Sequence, residues 1–338
     1  MDIKLSVIIP VYNAGKYLNC CIHHLQKQTL KDIEFLFIID KPTDGSDKVV
    51  KDFAMNDPRF VVIENEQNLH IGICRNKGIE LSKGKYIAFC DHDDYMDPSM
   101  YADLITIAEK CDADIVVSPS IIEYENMRKK GQKIEYFNNS SDRFYFLERL
   151  VGKKNYDAPG QEYLWENGNM WNKIFKKEII NKNNIRFVDT KSCCYEDVLF
   201  QYRCFFNAEN ISTTSIPYYH HILFGNNTSL NPNYASSVNT LNFLRCLYNL
   251  LKEESIDDSY NKRFKSTLIR YINYSTISIL HKNLSLRDFF RTLNMIKEDN
   301  EMRSLFLSTD LSDVLKTKSR IRYSRNIVFY YILRFLLS

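Results

Sequence analysis

Four short apolar runs, at residues 5–9, 34–39, 60–64 and 86–90, are the strongest constraint on how this chain folds. Each is too short for a buried helix and is bounded by turn residues, so each reads as a strand covered on both faces. Helical spacing fills the gaps over 15–28, 46–55 and 71–82; in the first, Tyr17, Leu18, Cys21, Ile22 and Leu25 fall on one face. Strict alternation of this kind predicts an α/β fold: an open, mostly parallel sheet with helices on both faces. Such sheets bind ligands outside the carboxyl ends of their strands. Three polar clusters sit at those ends: Pro10-Val-Tyr12-Asn13, Asp40, and Asp91-His92-Asp93-Asp94.

Further along, the spacing predicts a helix over 99–110 and a strand over 114–118. Residues 123–160 are polar and irregular, with a helical stretch near 142–151. Order returns over 164–206, and one strand is expected over 211–221. From about residue 235 the chain turns helical (236–254, 259–282, 286–298), with no glycine after Gly225. The expected division is residues 1–230, split near 110 into donor-binding and acceptor-binding halves, and a helical region over 231–338.

Composition narrows the function. With 45 basic and 42 acidic residues the net charge is +3, which argues against a nucleic-acid binder. The nine cysteines are odd in number and lack a CxxC spacing, so they read as free thiols in a reducing compartment. MDIKLSVIIPVYN lacks a signal-peptide layout, and no run of about 18 apolar residues predicts a membrane span. The expected location is cytoplasmic. Residues 316–338 place five basic residues ahead of an apolar run broken by Arg334, too short to cross a bilayer. That tail suits peripheral contact with the inner face of the cytoplasmic membrane, or a terminal helix docked on the core or on another subunit.

The acidic cluster carries the chemistry. Three carboxylates packed within four residues repel unless protons or a cation compensate, and Mg²⁺ or Mn²⁺ bound by Asp91 and Asp93 would do so. The alternative is a solvated loop whose aspartates cap the helix after Pro98.

LSVIIPVYN (5–13), QTLKD (28–32), Asp40 with Thr43–Ser46, CRNKG (74–78) and KGKYIAFCDHDDYMDP (83–98) follow in order. WNK (171–173), EDVLF (196–200) and PYYHH (217–221) continue the series to about residue 230. Together they resemble the family 2 glycosyltransferases of GT-A fold that assemble bacterial surface polysaccharides. The resemblance implies that Pro10, Tyr12, Asn13, Asp40, Arg75, Asn76, Asp91 and His92 surround a nucleotide-sugar. It implies that Asp93, Asp91 and His221 hold Mn²⁺ or Mg²⁺, and that Glu196-Asp197 supplies the catalytic base, with Asp197 favoured. Trp171, Asn172 and Lys173 either contact an acceptor sugar or belong to the core; Glu196-Asp197 also suits a plain helix N-terminus. The sequence departs from the family at Ile39, where an aspartate is usual, at Lys41-Pro42 in place of Gly-Ser, and at His221 in place of Arg. The departures leave the base open, with UDP the default, and leave Lys41 either a donor contact or a solvated turn residue.

The reaction so implied moves a sugar from a nucleotide-diphosphate sugar to a glycan or lipid-linked acceptor, with inversion. The metal and Arg75 would stabilise the leaving diphosphate, and one carboxylate would take the acceptor proton. Two other classes compete: a non-catalytic sugar- or nucleotide-binding module on the same fold, and a nucleotidyltransferase. The last expects a Gly-rich basic loop, whereas VIIPVYNAGKY holds one Gly and one Lys.

Overall fold

The structure, a computed structural model, describes residues 2–124, 131–135, 141–150, 169–224, 237–253 and 286–307 of the chain. Its contacts divide the chain into two compact units, one of residues 1–147, 166–191 and 195–234, the other of 148–165, 192–194 and 235–338.

The first unit is built on a seven-stranded sheet. Its strands are β1 (Leu5–Val11), β2 (Ile33–Ile39), β3 (Phe60–Glu64), β4 (Tyr86–Phe89), β6 (Ile115–Val117), β9 (Lys173–Lys176) and β10 (Ile211–Thr213). They lie in the order β10-β6-β9-β4-β1-β2-β3. All neighbours are parallel except β9, which runs antiparallel between β4 and β6. Every residue of β1 and β2 is buried, as continuous apolar runs require of a sheet covered on both sides. One face packs Val7, Ile9 and Val11 against α1 (Leu18–Gln26) and α4 (Met100–Cys111). α2 (Ser46–Ala54) adds Val50 to the same core. The other face receives α3 (His70–Leu81), α6 (Lys177–Lys182) and α7 (Glu196–Asn207). There α3 approaches β1 so closely that a Cβ on Gly78 would lie 2.4 Å from Ile8 Cγ2.

A smaller four-stranded sheet, β5-β11-β7-β8, stands beside the first. Its strands are β5 (Tyr95–Met96), β7 (Ser120–Tyr124), β8 (Gly131–Glu135) and β11 (Tyr219–Leu223). It corrects two expectations. The strand read over 211–221 is two strands, β10 and β11, in different sheets. The change of sheet falls at Ser215-Ile216-Pro217, where proline has no N–H to continue a ladder. The stretch expected to be irregular from 123 contains the antiparallel pair β7–β8. Its polar residues hid a strand pairing at the sheet's edge. α5 (Arg143–Leu150) matches the helical stretch expected there.

In the second unit, α8 (Ser237–Glu253) and α9 (Leu286–Glu298) fall where helical spacing placed them, and α10 (Asn300–Leu307) follows. Arg245 pairs with Asp299 at 2.7 Å. The helix expected over 259–282 and the basic–apolar tail over 316–338 lie outside the described residues. Among the described residues, no helix is long and apolar enough to cross a membrane.

The Gly78–Ile8 contact gives a test of the sheet–helix packing. Gly78→Ala is expected to destabilise the protein by about 2 kcal/mol through overpacking. The Gly78→Ala penalty should shrink sharply in an Ile8→Ala background, which removes the Cγ1 and Cγ2 atoms that the new Cβ would meet. Urea unfolding of the four proteins of this cycle would measure it, and strictly additive effects would refute the contact.

Candidate active site

The carboxyl ends of β1 and β2 are tied together by their loops. Asn13 Oδ1 accepts the Thr43 amide at 2.8 Å, and Asp44 accepts the Gly15 amide at 2.9 Å and the Ser46 hydroxyl at 2.6 Å. These bonds hold Asp44 below its ordinary carboxylate range despite some burial. Tyr12 stands clear of them, 45% exposed, at the end of β1. Pro10 is buried within β1, and its carbonyl accepts His92 Nδ1–H at 3.0 Å.

Asp40 faces inward. Its Oδ1 accepts Asn65 Nδ2 and the Leu69 amide, each at 2.8 Å, and its Oδ2 accepts the His70 amide at 2.9 Å. The carboxylate therefore caps the N-terminus of α3 from a neighbouring strand. At 3% exposure the residue is enclosed, with two hydrogen bonds on Oδ1 and one on Oδ2. Asn76 is likewise committed: its Nδ2 donates to the Phe187 carbonyl at 2.9 Å and its Oδ1 accepts the Phe187 amide at 2.8 Å. That clasp gives Asn76 a structural role.

At the end of β4 the acidic residues separate by environment. Asp94 is fully buried and holds His221 Nδ1–H at 3.0 Å together with the Ile222 amide at 2.9 Å. Burial alone would lower the His221 pKa, but the Asp94 carboxylate dominates and lifts it to about 9. A histidine that gives Nδ1–H to a carboxylate is oriented to offer its other ring nitrogen to a cation, so this bond is compatible with the metal role expected of His221. Asp93 accepts no hydrogen bond among the described residues. Burial, aided by Asp94 and Asp91 and opposed by His92 and His221, pushes its carboxyl up to about 6. Asp91 is reached by Arg75 Nη2 at 3.4 Å. Two carboxylates with spare oxygens fit a hard divalent cation that keeps its other positions for water and phosphate oxygens. Among the described residues, no group of three or more His, Cys, Asp or Glu forms an all-protein cage.

Arg75 joins this end to the second acidic pair. Its Nη1 reaches Glu196 Oε1 at 3.2 Å, and its guanidinium lies over the rings of Phe187 and Phe89 at 5.4 and 6.0 Å. Phe187 stacks on Phe200 of α7 at 4.0 Å, so the cation rests on an aromatic floor shared by three elements. Glu196 opens α7 after Tyr195, which takes a left-handed φ of 58°. Glu196 Oε2 is buried without a hydrogen-bond partner. Burial, reinforced by Asp197 and opposed by Arg75, raises the Glu196 carboxyl to about 7. Asp197 is half-buried; its Oδ1 accepts the Val198 amide at 2.9 Å, and burial raises its pKa too. Gly72 makes this approach possible: a Cβ there would lie 2.5 Å from the Val188 carbonyl and 3.5 Å from Glu196 Cγ.

The triplet Trp171-Asn172-Lys173 belongs to the core, which corrects the acceptor-contact reading. Trp171 is 4% exposed and stacks on Tyr219 at 4.3 Å and beside His221 at 5.3 Å. Asn172 Nδ2 donates to the Ser118 carbonyl at 2.7 Å, stitching β9 to β6. Lys173 is fully buried and donates to Asn172 Oδ1 at 2.8 Å and to the Asn169 carbonyl. Sequence reasoning missed the structural parts of the site: Asp94, which orients His221, and the Phe187–Thr190 segment clasped to α3. Only the three-carboxylate cluster itself hinted at Asp94.

The capping role of Asp40 is testable. Asp40→Ala leaves two part-buried amides without their acceptor and is expected to cost about 2 kcal/mol in chemical denaturation. A variant as stable as the parent would refute the cap.

Comparison with known proteins agrees with this geometry. The family described as Glycosyl transferase family 2 matches residues 6–178. The chain is 28% identical over 301 residues to the glycosyltransferase YibD of Escherichia coli K12, covering 87% of this chain and 83% of that one. It is 26% identical to the glycosyltransferase GlyG of Streptococcus pneumoniae serotype 4, over 87% and 90% of the two chains. It is also 26% identical to the cholesterol galactosyltransferase of Borreliella burgdorferi, over 85% and 79%. The structure of Staphylococcus aureus TarS residues 1–349 in complex with UDP-GlcNAc superposes with a TM-score of 0.71 at 19% identity, over 98% of this chain and 90% of that one. The fold is thus that of TarS. Carrying the family match over more than half its length, with an acidic strand end facing an acidic helix start, the chain belongs to glycosyltransferase family 2 and is a glycosyltransferase.

Proposed function

We propose that the protein transfers a sugar from a nucleotide-diphosphate sugar to a glycan or lipid-linked acceptor, with inversion, in building a bacterial surface polysaccharide. The observation that carries the reading is Arg75, which reaches Asp91 at 3.4 Å and Glu196 at 3.2 Å. One side chain thereby sets the donor-side acid beside the acid pair that opens α7. TarS, of the same fold, is described bound to UDP-GlcNAc, which supports a nucleotide-sugar donor here.

In this reading Tyr12 and Asn13 border the nucleotide, and Asp91 and Asp93 would hold Mn²⁺ or Mg²⁺. When bound, the cation supplies compensation for the charge that grows on the leaving diphosphate. Arg75 steadies Asp91 and adds positive charge on the same side. His92, anchored to the Pro10 carbonyl, keeps the β4 end against the β1 end. Asp197 accepts the proton of the acceptor hydroxyl as it attacks the anomeric carbon opposite the leaving oxygen. Glu196, pinned by Arg75, lies next to Asp197; once ionised, its negative charge makes Asp197 the stronger base. One base suffices for inversion, so no second carboxylate need act as nucleophile.

The direct test is donor turnover with Mn²⁺ across a panel of nucleotide-sugars. Asp93→Ala is expected to lower the rate by about 100-fold or more, and chelation of the parent should do the same. Metal-independent turnover, equal in parent and variant, would rule out the metal role. Absence of turnover with every donor would favour a binding module instead.

The acid pair predicts a pH dependence. Glu196 titrates near 4.5 unfolded and about 7 folded. A raised carboxyl holds its proton in the folded state, so stability should decline as pH rises from about 4.5 to 7. Catalysis should run the other way: kcat/KM is expected to rise along an acid limb near pH 7 as the pair becomes fully ionised. Glu196→Gln should remove that limb and lower the plateau; an unchanged limb would assign the titration elsewhere.

A further inference from the structure

The segment Phe187–Thr190 is fastened to α3 at two points one helical turn apart. Asn76 donates Nδ2–H to the Phe187 carbonyl at 2.9 Å and accepts the Phe187 amide on Oδ1 at 2.8 Å. One side chain thus satisfies both backbone groups of a single residue, as a neighbouring strand would. The Gly72 amide donates to Thr190 Oγ1 at 3.0 Å. Gly72 and Asn76 are four residues apart and share a face of the helix. A Cβ on Gly72 would lie 2.5 Å from the Val188 carbonyl, so the segment comes closer to α3 than any other residue there would allow.

What the clasp holds in place is the Phe187 ring. The ring is buried, stacks on Phe200 of α7 at 4.0 Å with the planes 5° apart, and lies 5.4 Å from the Arg75 guanidinium. Phe89 meets Phe187 and Phe200 edge-on at 5.4 and 5.6 Å. Glu196 and Phe200 are four residues apart on one face of α7. Phe187 therefore touches both sides of the Arg75–Glu196 contact: the cation directly, and the helix that carries the acid through Phe200. The bonds of Arg75 to Glu196 and Asp91, at 3.2 and 3.4 Å, are longer than the roughly 2.8 Å usual for charge-assisted hydrogen bonds, so they do not by themselves fix the guanidinium. The aromatic support does.

Resting on the reading of Glu196-Asp197 as the proton-accepting pair, we propose that Asn76 is a positioning residue of the reaction, acting through Phe187 on the Arg75–Glu196 contact. Asn76 fixes the height of Phe187 over α3, and the ring fixes where the guanidinium and the first turn of α7 meet. That meeting point sets the place of Asp197, one residue on, against the acceptor hydroxyl. A misplacement of about 1 Å in such a constellation costs about 100-fold in rate even when the altered residue is remote from the chemistry. The role differs from a donor contact, which would act on binding, and from plain support of the fold, which would act on stability alone.

The experiment measures hydrolysis, with Mn²⁺, of the nucleotide-sugar that the parent turns over fastest, in Asn76→Ala, Phe187→Leu, the double variant and Ile33→Ala. Ile33 is buried at the start of β2, the end of the strand away from the site, so Ile33→Ala controls for lost stability alone. Asn76→Ala is expected to lower kcat by about tenfold with the donor KM within about twofold of the parent, while Ile33→Ala leaves both unchanged. The double variant should lose little more than the worse single variant, because both changes act on one ring. If Asn76→Ala does not fold, Asn76→Asp, which keeps the arm that accepts the Phe187 amide, carries the same comparison. A kcat equal to that of Ile33→Ala, losses that multiply in the double variant, or a raised KM with kcat held each overturn this inference. An Asp197→Asn variant as active as the parent overturns instead the reading of the acid pair on which it rests.

Discussion

The site depends on one buried cation. Arg75 projects from α3 between a carboxylate at the end of β4 and another at the start of α7, over an aromatic floor. Without it, Glu196 and Asp91 would face each other across a poorly solvated gap, and repulsion would drive the two elements apart. With it, the acid that serves the donor side and the acid pair suited to a proton-accepting role are held at fixed separation. The aromatic contact also matters: a guanidinium spread over Phe187 and Phe89 tolerates desolvation better than an ammonium would.

The neighbouring carboxylates show how position decides the use of one functional group. Asp40 is spent on helix amides. Asp94 is spent on an imidazolium and an amide. Asp93, two strands from Asp40 and one residue from Asp94, accepts no hydrogen bond among the described residues and sits above its ordinary pKa. A carboxylate in that condition is relieved by a cation, whereas Asp40 and Asp94 already accept hydrogen bonds from the protein. Burial also decides among the histidines: His221 is tied to Asp94, while His70 stands in solvent on a strained backbone.

Glycine has a similarly specific part. Gly72 lets the Phe187–Thr190 segment pass over the first turn of α3, where Asn76 and the Gly72 amide fasten it. That segment leads into α7, so a missing Cβ on one helix helps place the acids of another. Gly78 does the equivalent against Ile8. Close approach on both sides of α3 is what lets Arg75 reach two partners at once.

The sequence by itself determined the strand–helix alternation, because apolar runs and helical spacing are local and survive without neighbours. It also located the acidic strand end and the Glu196-Asp197 pair, since those motifs are contiguous. What it could not determine was the direction in which a side chain is used. Asp40, Asn76, Trp171, Asn172 and Lys173 sit in recognisable motifs, yet the fold turns each inward onto partners far along the chain, such as Leu69, Phe187, Tyr219 and Ser118. The split of residues 211–221 between two sheets was equally hidden, because sheet membership depends on non-local pairing with β6 and β7. Only tertiary structure decided which polar groups were already satisfied, and therefore which remained to bind anything else.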